Sequence, residues 1–466
     1  MSGILSLDVG HLISESDGPN FVTNGEFDSF EKNYGWIFDK FRKSLKDGKS
    51  PISLSFESRK YLDDMKKVAG ELAEKYENVL LIGIGGSTLG FRTILQSIKG
   101  PYYNIEGYDR RFPRVFVLDN ADPVLARQLD DTIDIGKTAL VYVSKSGATP
   151  ESAANFVYFY NRYKEAGGDL RDITIICDKR DNGINHIAES IGCNIFYIPE
   201  KLPGRYSVLS PVGLFPAELI GESGAELLAG ASEVNDSLID QPLGENAGFI
   251  LGSCIWELIK KGKLIHTIFN YSNVLSEFGL WFVQLWAESI GKRHDVDGRE
   301  IFAGSTPLAA IGATDQHSLL QLFKEGPNDK IFGFVTVDEF DHDVTMGDAF
   351  PDLGEYAYFS GHKLSEQLKI EQVSTELSLF NADRPCYRII LPEISARTLG
   401  GLFYLMEALV VYVANLWNVN PFNQPGVEEG KNMTYSLMGR DKFISERSKH
   451  EASLAAYKKK CRYLQL

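Results

Sequence analysis

Cationic charge is in short supply. Lysine and arginine number 48 against 63 aspartates and glutamates, a formal net charge of −15. Nucleic acid and anionic membrane surfaces are poor partners for such a chain. A small anion held in a local pocket is not excluded. Cysteine is also scarce: Cys177, Cys193, Cys254, Cys386 and Cys461 are five in number, and none falls in a C-x-x-C pair. An odd, unpaired set reads as reduced thiols of a cytoplasmic protein, not a disulfide framework or a zinc site. No H-x-x-x-H or comparable spacing offers metal ligands, so no metal is expected. Long apolar runs are missing too. The best candidate, Leu399 to Trp417, is interrupted by Glu407 and falls short of the ~20 apolar residues a membrane span needs. It reads as a buried core helix. The opening MSGILSLDVG has no basic stretch leading into an apolar one, so no signal peptide is expected.

A dinucleotide fingerprint is absent as well. In GIGGSTLG (Gly83 to Gly90), the pattern G-x-G-x-x-G fails at Thr88 counted from Gly83, and at Ser87 counted from Gly85. Asp119, ending the next strand, lies too far on to hold a ribose. A nicotinamide cofactor is therefore not expected.

What the chain does have is a repeated theme. VLLIGIG, RVFVLDN, TALVYVS, DITIICD and NIFYIP are short, β-branched or aromatic runs, each followed by a segment long enough for a helix. Strands buried on both faces look like this, and the spacing implies parallel βαβ units. A second cycle begins near Asn246, with LIHTIF, KIFGFVTV and CYRIILP as strands and SNVLSEFGLWFVQLWAESIGK as an amphipathic helix. The fold class expected is α/β: two similar, doubly wound, mostly parallel sheets, each three-layered, with helical extensions at both ends. The expected divisions are an N-terminal arm (1–55), a first domain (56–220), a second (221–440) and a helical tail (441–466). The arm reads as loosely attached helices, and residues 339–362 as a surface excursion.

In open α/β sheets, ligands sit at the carboxyl ends of strands where strand order reverses. VYVSKSGATPES is such an end. Thr149, Pro150 and Glu151 have the order of a helix start: hydroxyl, proline, acid. Helix starts carry unpaired N–H groups and a positive dipole. Ser144, Ser146 and Thr149 add hydroxyls, with Lys145 beside them. The stretch reads as a phosphate cradle or as a capped turn that binds nothing. Gly86 and Ser87 read as a close-approach ligand turn or a packing turn. Gln284 and Glu288 share one face of their helix. Glu288 lies in the last turn, where the dipole disfavours its charge and should raise its pKa toward general-base duty. The alternative is a solvated glutamate paired with Lys292. His317, Arg205 and Lys431 each have a plain reading too: a satisfied polar residue, a strand cap and a solvated lysine, with Gln424 offered by the same Pro-Gly segment as Lys431.

The joint order of these segments is more specific than any one. From about Val79 to Lys431 the chain resembles the phosphoglucose isomerase family, built from two sugar isomerase (SIS) domains. The resemblance lies in GIGGSTLG, SKSGATPES, GRYSVLSPVGL, QLWAESIGK, GATDQHS and QPGVEEGK. It implies interconversion of glucose 6-phosphate and fructose 6-phosphate, with dual action on mannose 6-phosphate or a non-catalytic sugar-phosphate sensor as alternatives. It implies phosphate contacts from Ser144, Ser146 and Thr149, with Lys145 adjacent, and substrate contacts from Gly86, Ser87, Gln284 and Gln424. Glu288 matches the base, Arg205 the group that steadies an enediolate, and His317 with Lys431 the pair that opens the sugar ring. It also implies a homodimer, with His317 supplied across the interface. Ile290 and Asn423 stand where the family more often has asparagine and aspartate.

Overall fold

The computed structural model describes residues 3–14, 18–105 and 111–464. Ten strands build two sheets. They are β1 (Ser6–Asp8), β2 (Asn78–Ile82), β3 (Arg114–Leu118), β4 (Thr138–Val143) and β5 (Thr174–Asp178). The rest are β6 (Asn194–Ile198), β7 (Ile265–Asn270), β8 (Thr306–Ile311), β9 (Lys330–Val337) and β10 (Cys386–Leu391). The first sheet runs β3-β2-β4-β5-β6, all parallel. Every residue of β2, β4 and β5 is buried, as expected of strands covered by helices on both faces. Strand order reverses between β2 and β4. That boundary is where such a sheet opens a crevice.

The second sheet runs β1-β10-β9-β7-β8. Strands β7 to β10 are parallel and repeat the first sheet's winding: second, first, third, fourth. β1 takes the fifth place, antiparallel to β10 with Ser6 opposite Ile390. The repeat expected from sequence pattern is thus present in the topology.

The N-terminal segment is not loosely attached. Beyond β1, a capping box between Thr23 and Glu26 starts α1 (Asn24–Lys46). α1 buries Phe30, Phe38, Phe41 and Leu45. Phe38 meets Tyr412 edge-on at 4.9 Å. An aromatic stripe at helical spacing was there to be read, masked by the surrounding glycine, serine and aspartate. Strand β8 also escaped notice. It is a half-exposed edge strand containing Pro307 and two alanines, all of low strand propensity.

Five further helices matter for the site. α2 (Leu89–Lys99) follows β2, and α3 (Pro150–Glu165) follows β4. α4 (Ser276–Ile290) follows β7. α5 (Leu364–Phe380) precedes β10, and α6 (Ala396–Leu416) follows it. α6 is the one helix among the described residues long and apolar enough to cross a membrane, but 89% of that apolar window is buried inside the fold.

Candidate active site

The end of β2 turns sharply through Gly85, Gly86 and Ser87 into α2. Gly85 sits at φ +56°, a conformation that favours glycine. A Cβ on Gly85 would lie 2.8 Å from the Gln284 amide nitrogen, and one on Gly86 2.4 Å from the Gly204 carbonyl. The turn therefore touches α4 and the Gly204–Tyr206 turn at once. Close approach of three backbones is what these glycines serve.

Arg205 sits at that junction, 3% exposed. Its Nε donates to Ser289 Oγ at 2.8 Å. Nη1 donates to Glu288 Oε2 at 3.1 Å and to Gln424 Oε1 at 3.0 Å. Nη2 donates to the carbonyls of Asn423 and Pro421, at 3.1 and 2.5 Å. Asn423 serves through its backbone, so the absence of an acid there leaves Arg205 no donor short. Tyr206 donates its hydroxyl to Ser289 Oγ at 2.9 Å. Burial pushes the Tyr206 pKa well up, so it stays a donor.

Glu288 is held on both oxygens. The second accepts from Gln284 Nε2 at 3.2 Å. Its side chain remains 33% exposed, open to a ligand. The i,i+4 pairing of Glu288 with Lys292 is not made through the carboxylate. The Lys292 ammonium donates instead to the backbone carbonyls of Glu288 and Ser289.

In the first sheet, Ser144 directly follows β4 and is buried. Gly83 is the hinge between the two strand ends: a Cβ there would meet Val143 O at 3.1 Å. Thr149 precedes α3 but makes no capping bond to it. Its Oγ1 lies 3.5 Å from Ser144 Oγ. Two hydroxyls and an uncapped helix start thus share one spot. Ser146 is exposed and accepts from the Ala148 N–H at 3.4 Å. Lys145 points elsewhere. Its ammonium donates to Leu202 O at 2.9 Å, and burial pushes its pKa down. It ties the end of β4 to the segment leading into Arg205.

After Gln424 the chain forms α7 (Glu428–Leu437), which closes the circle. Tyr435 on α7 donates its hydroxyl to Ala148 O in the hydroxyl loop, at 3.0 Å. Lys431, one turn earlier, pairs with Glu428 at 3.2 Å and is 40% exposed. His317 stands apart. It ends a short turn after β8, exposed, with no hydrogen-bond partner among the described residues. Ser289, Tyr206 and Tyr435 were missed in the sequence. Only the i,i+4 spacing of Lys431 and Tyr435 hinted that they share a face.

A carboxylate held against a guanidinium, with two hydroxyls at an uncapped helix start on the neighbouring sheet's strand ends, suits a substrate gripped by a phosphate while one proton moves. With two doubly wound sheets, that defines the class: a sugar-phosphate isomerase of the SIS type. The phosphoglucose isomerase family model matches residues 56–457. A glucose-6-phosphate isomerase of Carboxydothermus hydrogenoformans is 35% identical over 412 residues, covering 87% of this chain and 89% of that one. A solved Thermus thermophilus structure superposes with a TM-score of 0.80 at 31% identity, covering 93% and 100% of the two chains. A solved glucose-6-phosphate isomerase of Chlamydia trachomatis shares the fold, with a TM-score of 0.71 at 23% identity over 85% of this chain and 76% of that one. The chain belongs to the phosphoglucose isomerase family.

Proposed function

We propose that the enzyme interconverts glucose 6-phosphate and fructose 6-phosphate at the crevice where Glu288, Arg205 and the 144–149 loop meet. The phosphate docks on Ser144, Thr149 and the start of α3, with Ser146 at the rim. That remote grip is converted into positioning of C1 and C2. His317 and Lys431 open the ring. Glu288 then takes the proton from one carbon and returns it to the next through a cis-enediol(ate). Arg205 stabilises the developing oxyanion. Gln284 and Gln424 orient the hydroxyls, and Gly86 with Ser87 lines the approach. The first unit of function is residues 56–220, carrying the anion socket; the second is 221–440, carrying the base.

The observation that supports this reading best is Arg205. It touches Glu288 and Gln424 with one nitrogen, while Gly86 packs on its backbone. Segments from both halves of the chain are drawn to one guanidinium. The socket is tested by Ser144→Ala and Thr149→Val. Each removes one charge-assisted hydrogen bond to phosphate, and the KM for sugar phosphate should rise roughly tenfold. An unmoved KM in both variants would take the phosphate out of this loop.

We infer that His317 serves the crevice of another copy of the chain, since it is exposed and bonds none of the crevice residues described above. α5 beside it presents Ile370, Val373 and Leu377 on one face to solvent, each about half exposed. A helix face of that kind is normally covered. The reading is a homodimer in which each His317 serves the partner's sugar. Glu288→Gln and His317→Ala homodimers should each be inactive. Mixed and reassociated, they should regain activity, because each heterodimer then holds one site with both groups. Absence of recovery, with heterodimers demonstrably formed, contradicts the exchange.

A further inference from the structure

Lys292 is a buried ammonium that the reaction scheme does not use. It lies on the strand Lys292–His294, paired through Ala303 to the strand Glu300–Ala303, immediately after α4. Only 7% of it is exposed. A helix leaves its last four carbonyls without intrahelical donors. In α4 the Gly291 N–H takes that of Ala287, and the Lys292 ammonium takes those of Glu288 and Ser289 at 2.5 and 2.9 Å. One cation therefore pins the backbones of the base and of the serine that anchors Arg205. It also places a full positive charge on the negative pole of the helix.

From this geometry we infer that Lys292 is a positioning residue for the proton transfer: it sets a positive charge against the α4 dipole and locks the last turn, so that the Glu288 carboxylate stays aimed. The inference rests on Glu288 being the base. The charged groups facing Glu288 are Arg205 from the 204–206 turn and Lys292 from the hairpin. Those facing Lys292 are Arg205 and Glu288; Arg293, His294 and Asp295 line the same cavity of about 350 Å³. Burial, and then Arg205, push the Lys292 pKa down to about 8. The ammonium therefore keeps its proton throughout the acidic range.

The test compares pH profiles of kcat/KM for the wild type, Lys292→Met and Lys292→Arg. Lys292→Met removes the charge and both bonds. Its kcat should fall roughly tenfold with little change in KM, and its acidic limb should move up by about one pH unit. Lys292→Arg keeps the charge and should keep the wild-type limb. The substrate phosphate titrates identically in all three reactions and cancels in the comparison. An unmoved limb in Lys292→Met overturns the proposal, however far kcat falls, since a merely structural lysine would lower the rate without moving the limb. If Lys292→Met fails to fold, Lys292→Gln, which keeps a donor without the charge, decides: an upshifted limb supports the role and an unmoved limb overturns it. Turnover by Glu288→Gln would instead remove the base itself, a separate outcome.

Discussion

Glu288→Gln is expected to lose three or so orders of magnitude in kcat while binding sugar phosphate nearly as well as the parent. General acid–base groups contribute roughly 10²–10⁴-fold each, and among the described residues Gln284 and Arg205 bond no second carboxylate that could take over. Glutamine is nearly isosteric. It can still accept from Arg205 Nη1 at the present 3.1 Å, so the guanidinium should stay in place. The proposed phosphate socket at 144–149 should be untouched. Two measurements separate the effects: exchange of the C2 proton with solvent deuterium, and titration with a non-isomerisable sugar phosphate. Exchange should collapse and affinity should hold. Retained exchange would remove Glu288 from the role. Lost affinity would make it a binding residue instead.

The second large effect is at Arg205. Its five hydrogen bonds go to two backbone carbonyls, one amide, one hydroxyl and one carboxylate, drawn from α4 and the 421–424 loop. Arg205→Ala orphans the carbonyls of Pro421 and Asn423 and unpins Gln424. Each buried acceptor left unpaired costs about 1–3 kcal/mol, so a loss of roughly 2–4 kcal/mol in stability is expected. The carboxylate contributes little to that sum, because Glu288 is one-third exposed and screened. Catalysis should fall by about 10²–10³, the usual effect of deleting a donor to a developing oxyanion. Arg205→Lys should recover little of either. An ammonium is a point charge on a flexible stem and cannot span a fork of acceptors facing different ways. Thermal unfolding and steady-state kinetics on both variants check this. A lysine variant with near-parental kcat would mean that charge alone matters and the fork does not.

Much of this was legible in the chain. Strands β4, β5 and β9 are almost wholly buried, so their apolar runs stand out between turns. Thr149-Pro150-Glu151 marked a helix start because proline is tolerated in the first turn. The hydroxyl's own behaviour was not legible. Thr149 looks like a cap in sequence, yet leaves its helix uncapped and leans toward Ser144. The bonds that Lys145 and Lys292 make were not legible, for one reason. Sequence spacing shows which side chains are neighbours, but not that a nearby backbone carbonyl will take the ammonium first. Ser289 and Tyr206 were invisible because their role exists only relative to Arg205, more than eighty positions away from Ser289 along the chain. His317 could be picked out by resemblance, but a single chain gives it nothing to act on.

The whole account depends on an anion socket and a base from different halves of the chain gripping opposite ends of one molecule. Co-crystallisation with a linear six-carbon sugar acid phosphate, a mimic of the open-chain intermediate, tests that directly. The phosphate should lie within hydrogen-bonding reach of the Ser144 and Thr149 hydroxyls, with the carboxylate end between Glu288 and Arg205. A phosphate bound away from the 144–149 loop, or a carboxylate end touching neither Glu288 nor Arg205, contradicts it.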